Sequence, residues 1–164
     1  MLASFRQRRR SDEGFTLIEL MVVVLIIAIL IAIAIPTFLG AQNRARDRAA
    51  QSNLRNGLTA IKVVASDDQG LFTNVDITSL HAAETAIDFQ LASVAVDSDH
   101  VSIDIDLSVD PNTAELSDKS SSGTYYGMAL DSNGVVAKCK GDAATDVDTY
   151  AHCTSTAAAS GGSW

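Results

Sequence analysis

The chain has 164 residues, 47% hydrophobic and 20% charged, which is room for one modest domain plus an anchor. Ten glycines and two prolines do not make a disordered composition. The formal charge of -8 is divided unevenly: Arg6, Arg8, Arg9 and Arg10 form a basic head, whereas beyond residue 35 acids outnumber bases roughly two to one, which disfavours direct nucleic-acid binding there because phosphate contacts need clustered Lys and Arg.

The first element is an apolar block, FTLIELMVVVLIIAILIAIAI, over residues 15–35. At ~1.5 Å per residue it crosses a hydrocarbon core of ~30 Å as one helix. The arginines before it hold the N-terminus in the cytoplasm by the positive-inside rule. A cleaved secretory signal is the competing reading, but its apolar region runs to only about 7–15 residues. Here the run is longer, and an amphipathic helix continues past Pro36. Within the block Glu19 stands out, since a carboxylate near the centre of a membrane helix costs about 2.5–3.5 kcal/mol on insertion scales, and less near an end. One reading keeps it protonated or at the interface. The other asks for a cation, and none lies in the segment. Cleavage after Gly14 would create one, the amino group of Phe15. Residues 15 and 19 share a helix face, so the pair forms within one chain or with Glu19 of a neighbouring copy. Pro36 leaves the Ala32 carbonyl without its helical donor, and with Gly40 nearby this is the weakest stretch of the helix, either a kink or a hinge.

From Thr37 to Ser66 the sequence stays helical. Ala49, Leu54, Leu58, Ile61 and Ala65 form an apolar stripe, with Arg44, Arg48, Arg55 and Lys62 largely elsewhere. Asp67-Asp68-Gln69-Gly70 supplies a stop, with Gly70 suited to a left-handed cap. A short helix capped by Thr78 or Ser79 is expected through Ala86. The period then changes. Val101, Ile103, Ile105, Leu107 and Val109 alternate with Ser102, Asp104, Asp106 and Ser108, which predicts a half-buried strand broken at Asp110-Pro111-Asn112. Residues 124–130 and 135–138 flank Asp131-Ser132-Asn133-Gly134 as a hairpin. The expected head is a meander sheet of three or four strands laid on the helix stripe.

Asp97, Asp99, Asp104, Asp106 and Asp110 lack the ligand order and final bidentate Glu of a calcium loop and read better as solvent-facing charges that guard a sheet edge. Cys139 and Cys153 are the only cysteines. Paired, they close a loop of about 15 residues, worth ~3 kcal/mol in the chain-entropy account, and an exported domain meets an oxidising space. The alternative is two free thiols. Zinc needs more ligands at closer spacing. His81, His100 and His152 are scattered, no nucleophile motif of the G-x-S-x-G kind occurs, and no glycine loop is built to cradle phosphate. Neither an enzyme, a metal site nor a cofactor is expected.

Gly14-Phe15-Thr16-Leu17-Ile18-Glu19-Leu20, after a short basic leader and opening an apolar run with Pro36 at the usual spacing, resembles the class III signal of type IV pilins and pseudopilins. The resemblance covers residues 6 to about 58; the rest shares only the layout. It implies the α+β pilin fold, a long N-terminal helix packed on a small antiparallel sheet. It also implies the division 1–14 leader, 15–36 transmembrane and assembly helix, 37–70 amphipathic continuation and 71–164 extracytoplasmic head, with a disulfide-closed loop at the C-terminal end. A membrane-embedded prepilin peptidase is expected to cut between Gly14 and Phe15 and to N-methylate Phe15, which keeps its positive charge. Asp12 and Glu13 depart from the basic residue that often precedes the glycine. Expected partners are other copies of the chain in a helical homopolymer, the peptidase, the inner-membrane pilus assembly machinery, and the membrane itself for the precursor. Arg44, Arg46 and Arg48 would then lie just outside the membrane, facing acidic surfaces of adjacent subunits. The expected location is the cytoplasmic membrane before assembly and the cell surface after it. The alternatives are a pseudopilin of a type II secretion or DNA-uptake machine and, in another class, a membrane-tethered binding domain.

Overall fold

The computed structural model describes residues 14–92, 95–108, 112–147 and 153. The leader residues 1–13, the Val109-Asp110-Pro111 end of the expected strand, and His152 lie outside them. The chain forms two compact units, Met1–Gly40 and Ala41–Trp164.

In the first unit, helix α1 (Leu17–Ser66) opens on an apolar face that runs all the way round, and Pro36 sits inside the helix. Thr37 follows Pro36 and donates its hydroxyl back to the carbonyls of Ala34 (2.8 Å) and Ile33 (3.3 Å). That supplies donors beside the turn that proline weakens.

In the second unit, α1 becomes one-sided. Ala50, Leu54, Gly57, Leu58, Ala60, Ile61 and Ala65 are buried, so the stripe follows the helical period expected of it. It is displaced by one residue at its start: Ala50, not Ala49, enters the core. Gly70 takes the expected left-handed conformation, and Gln69 shares it. Gly70 N–H donates to the Ala65 carbonyl at 2.9 Å and helps close the helix end.

Helix α2 spans Ile77–Ala83, shorter and earlier than the sequence suggested. Its cap is Asp76 rather than Thr78 or Ser79. The Asp76 carboxylate accepts the Ser79 N–H at 2.7 Å, and the Ser79 hydroxyl oxygen accepts the Asp76 N–H at 2.9 Å. This reciprocal capping box satisfies two amides at once and therefore wins over a lone hydroxyl.

The sheet has five strands in spatial order β1 to β5: Phe89–Leu91, Val101–Asp106, Thr113–Lys119, Tyr125–Asp131 and Val136–Gly141. The α+β class stands, but the purely antiparallel sheet of three or four strands does not. β1 pairs with β2 in parallel (Phe89↔Val101 to Leu91↔Ile103), and the other pairs are antiparallel. β1 is only three residues long, too short for a period-two pattern. β3 reads Thr-Ala-Glu-Leu-Ser-Asp-Lys: Ala114 and Leu116 enter the core, while Thr113, Glu115, Ser117 and Lys119 take the opposite face, buried or half-buried, and with only two apolar residues the strand is weakly marked in the sequence. Ser102, expected outside, is buried and accepts a bond from Gln90 Nε2 of the paired strand β1 at 2.8 Å. β2 stops at Asp106, so Leu107 is exposed rather than inward. The β4–β5 hairpin forms where expected, turning through Gly134 in a left-handed conformation.

The α1 stripe meets Phe89, Val101, Ile103, Ala114, Leu116, Met128 and Leu130 in one core, closed at its far side by Phe72, Val75, Leu80 and Ile87. Ala129, Ala137, Cys139, Val147 and Cys153 form a second, smaller cluster with Tyr125 packed against it. The disulfide Cys139–Cys153 lies in that cluster. Gly127, paired with Cys139 across β4 and β5, leaves space for it: a Cβ there would stand 2.6 Å from Cys139 Sγ and 2.9 Å from the Val147 backbone oxygen. Gly127→Ala should therefore cost about 1–3 kcal/mol by overpacking, read as a lowered denaturation midpoint.

Polar groups cross between α1 and the β3–β4 end of the sheet. Asp47 accepts from the Ser120 hydroxyl at 2.7 Å and from the Ser122 hydroxyl, and Asn53 Nδ2 donates to Asp118 at 3.3 Å. Asp118 is only 3% exposed. Burial pushes its carboxyl up to about 6 against the opposing pull of the Asn53 amide, with the nearby charge of Asp97 adding to the rise. The unfolded chain releases this proton around 3.8. Between about pH 4 and pH 6 the folded state thus holds a proton that the unfolded state has lost, so stability falls as pH rises across that window and stays lower above it. Asp118→Asn keeps an acceptor for Asn53 and removes the charge. It should stabilise the protein by about 1–3 kcal/mol at pH 7 and by nothing near pH 4, as read from paired denaturation curves.

Candidate functional site

The start of α1 is built around Thr16 and Glu19. The Thr16 carbonyl accepts the first helical bond, from Leu20 N–H at 3.3 Å, which makes Thr16 the cap residue. Glu19 is then the third helical residue. Its Oε2 accepts the Thr16 N–H at 2.9 Å and the Thr16 hydroxyl at 2.6 Å, while the Glu19 N–H donates to Thr16 Oγ1 at 3.3 Å. This is a capping box at the first turn of an apolar helix. The carboxylate sits where the helix dipole favours negative charge and where free amides need acceptors. The nitrogen of Phe15 is here a backbone amide, and the Glu19 carboxylate bonds with Thr16 of the same chain. Thr16 is not among the expected site residues, although the spacing Thr-x-x-Glu before an apolar run is the signal for such a cap.

Two neighbours of the cap have no role in holding the fold. Gly14 is exposed, and a Cβ added there would meet nothing within 4 Å. Nothing local therefore demands a glycine. Phe15 is 81% exposed. From Phe15 to Leu39 the large apolar side chains remain between 46% and 81% exposed. Soluble monomers do not present apolar surface on this scale. Among the described residues α1 is the helix long and apolar enough to cross a membrane, and the apolar window that qualifies it is wholly unburied. Lipid or other apolar helices must cover it.

The other expected site residues divide. Pro36 lies within α1, beside the Thr37 back-bonds. Arg44, Arg46 and Arg48 are exposed on α1 in the second unit. Cys139 and Cys153 are joined and buried. Among the described residues no group of three or more His, Cys, Asp or Glu side chains is arranged to hold a metal ion. The acidic residue with a marked structural role is Asp118, which the sequence shows only as one Asp among many.

Comparison with known proteins bears on the same N-terminal stretch. The family described as the prokaryotic N-terminal methylation motif matches residues 9–35, a span that contains Gly14, Phe15, Thr16 and Glu19. The chain is 48% identical over 66 residues to the type IV major pilin protein PilA of Myxococcus xanthus (strain DK1622). That stretch is 40% of this chain and 29% of the relative's length. No solved structure matches the chain.

The cap itself is open to test. Thr16→Ala removes both its hydroxyl bonds and should cost about 1 kcal/mol of local helix stability. Amide exchange over Leu17–Leu20 in detergent micelles should then quicken about fivefold, with exchange in β3 and β4 unchanged.

Proposed function

We propose that this chain, a member of the type IV pilin family, is the precursor of a structural subunit that polymerises through its N-terminal helix into a type IV pilus or a closely related filament. One observation carries the reading: an apolar helix surface, bare from Phe15 to Leu39, begins at a methylation-type motif and is attached to a separately packed unit. A membrane-anchored precursor covers that surface with lipid. A filament covers it with the same helix of other copies.

In this reading residues 1–14 are a leader removed by a prepilin peptidase. Gly14 answers to the enzyme rather than to the fold, which agrees with the open space around it. Cleavage turns the Phe15 amide into an ammonium, and N-methylation preserves the charge. The new cation competes with Thr16 for the Glu19 carboxylate, within the chain or across to a neighbour. In the low-dielectric surroundings of packed helices such a pair is far stronger than in water, and it selects one axial register among copies. Residues 15–36 serve as membrane anchor and then as filament core. The Pro36–Gly40 stretch, short of one backbone donor, is where the helix gives way during the transfer. Residues 37–70 and the head, outside the cytoplasm, form the filament's outer layer, with Arg44, Arg46 and Arg48 placed to meet acidic neighbours. The inner-membrane assembly machinery completes the list of partners. The role is structural, not enzymatic.

A pseudopilin of a secretion or DNA-uptake machine shares the same N-terminal features. The similarity to a protein named as a major pilin covers 29% of that protein and does not separate the two. Sheared surface material separates the two, since a pilus subunit is recovered there in excess and a pseudopilin is not.

Mass spectrometry of the assembled protein tests the processing. The expected chain begins at Phe15, is heavier by one methyl group, and has Cys139 and Cys153 oxidised. A polymerised protein that retains residues 1–14 overturns the proposal. Glu19→Ala should abolish filaments while leaving membrane insertion intact, as read by electron microscopy and membrane fractionation. Filament yield equal to that of the natural chain would support a simple tether instead.

A further inference from the structure

The beginning of the parallel pair β1–β2 carries titratable side chains that filament assembly leaves unused. His81 comes from α2 and Asp88 immediately precedes β1; Asp97, Asp99 and His100 lead into β2. Asp97 Oδ1 accepts the backbone N–H of His100 at 2.9 Å and that of Asp99 at 3.0 Å. His100 Nδ1 lies 2.9 and 3.0 Å from the two oxygens of the same carboxylate. The other ring nitrogen, Nε2, faces Asp88 at 3.4 Å, and His81 Nε2 faces Asp88 at 3.6 Å. The His81 ring stands edge-on to Phe89 of β1, with centroids 5.6 Å apart.

We propose that His100, held between Asp97 and Asp88, is a proton-operated latch that fastens α2 and the edge strand β1 to the sheet when its imidazole is charged and releases that edge when it is neutral. A neutral imidazole has one N–H and can donate to only one of its two carboxylate neighbours; the imidazolium donates from both nitrogens. Without the cation, Asp88, Asp97 and Asp99 face one another with like charge. The Asp97 hydrogen bond holds the His100 imidazolium above its ordinary range, with the charges of Asp97, Asp88 and Asp99 adding to the effect and partial burial opposing it. Asp118 lies near enough for the charge of Asp97 to act on it. His81 shares Asp88 and so draws on the same carboxylate.

The sign follows from the direction of that shift. The folded imidazole binds its proton more tightly than the unfolded one. Its stabilisation is therefore complete below the unfolded value of 6.5 and is lost as pH rises through the higher folded value. The His100 and Asp88 side chains are 35% and 64% exposed, so solvent screens the pair and the effect is local rather than global. Beyond the burial of Phe89 in the core, a short backbone ladder holds β1. Its ladder to β2 is three residues long, flanked by Val101 N–H to the Asp88 carbonyl at 2.9 Å and Ala92 N–H to the Ile103 carbonyl at 2.8 Å. Release of β1 bares the edge of β2 at Val101 and Ile103, which are 1% and 3% exposed when it is in place. An uncovered edge of that kind pairs readily with another strand.

The test follows the full chain in detergent micelles from pH 5.5 to pH 8.5. The His100 ring is titrated by NMR, and hydrogen exchange of residues 88–103 is measured relative to β3 and β4, which cancels the intrinsic pH dependence. The expected result is a His100 transition above 6.5 that moves down in Asp97→Asn, with relative protection of residues 88–103 falling about threefold or more across the same transition. In His100→Asn the pH dependence of that ratio should vanish, and in Asp118→Asn it should persist. The proposal is overturned if protection stays flat while the His100 ring titrates, or if its change disappears in Asp118→Asn. Should His100→Asn fail to fold, the coincidence or separation of the two curves in the natural chain decides.

Discussion

The seam where α1 meets the sheet is the contact on which the second unit depends. Leu54, Leu58 and Ile61 are almost wholly buried there, in the same core as Phe89, Leu116 and Met128. Gly57 sets how closely the layers approach, since a Cβ on it would stand 3.3 Å from both Leu116 Cδ1 and Phe89 Cε1. Helical glycine costs about 1 kcal/mol relative to alanine, and the close packing of two large side chains over its backbone is the compensating term. The polar bonds from Asp47 to Ser120 and from Asn53 to Asp118 flank this seam and fix the sheet against sliding along the helix.

One helix therefore carries two solutions to the same problem. In the second unit its apolar residues recur every three or four positions, and the sheet covers them. In the first unit they surround the axis, and nothing among the described residues covers them. The difference lies in the sequence period. It also explains why so little of the chain's function is visible in its head: the surface that needs a partner is confined to residues 15–39, where Glu19 is a lone carboxylate among apolar neighbours.

Features carried by a strong repeating pattern were legible in the sequence: the long helix, its stripe at Leu54, Leu58 and Ile61, the β2 alternation, and the hairpin around Gly134. Those set by pairing or close approach were not. β1 is three residues of parallel edge strand, and no local pattern announces it. β3 offers only Ala114 and Leu116 to the core, too few apolar residues for its alternation to stand out. The Asp76 cap was hidden by two nearer hydroxyl residues, and the Ala49/Ala50 difference turns on the exact rotation of the helix. At the N-terminal end, Glu19 stands out through chemistry, since a carboxylate in an apolar run needs an explanation. Thr16 carries no anomaly of its own, and its bonds to Glu19 follow only from the Thr-x-x-Glu spacing.

The small cluster behind the sheet has a consequence of its own. Cys139, Val147 and Cys153 cover Ala129 and Ala137 on small residues alone, and none of their side chains belongs to the core beneath α1. Substitutions in the two clusters should thus combine additively. The polar positions between the two cysteines can be rewritten with little cost to the core beneath α1, so long as the disulfide, Gly127, Gly141 and Val147 stay. The molecule thereby separates a region that can diversify quickly from the scaffold that every copy must keep in common.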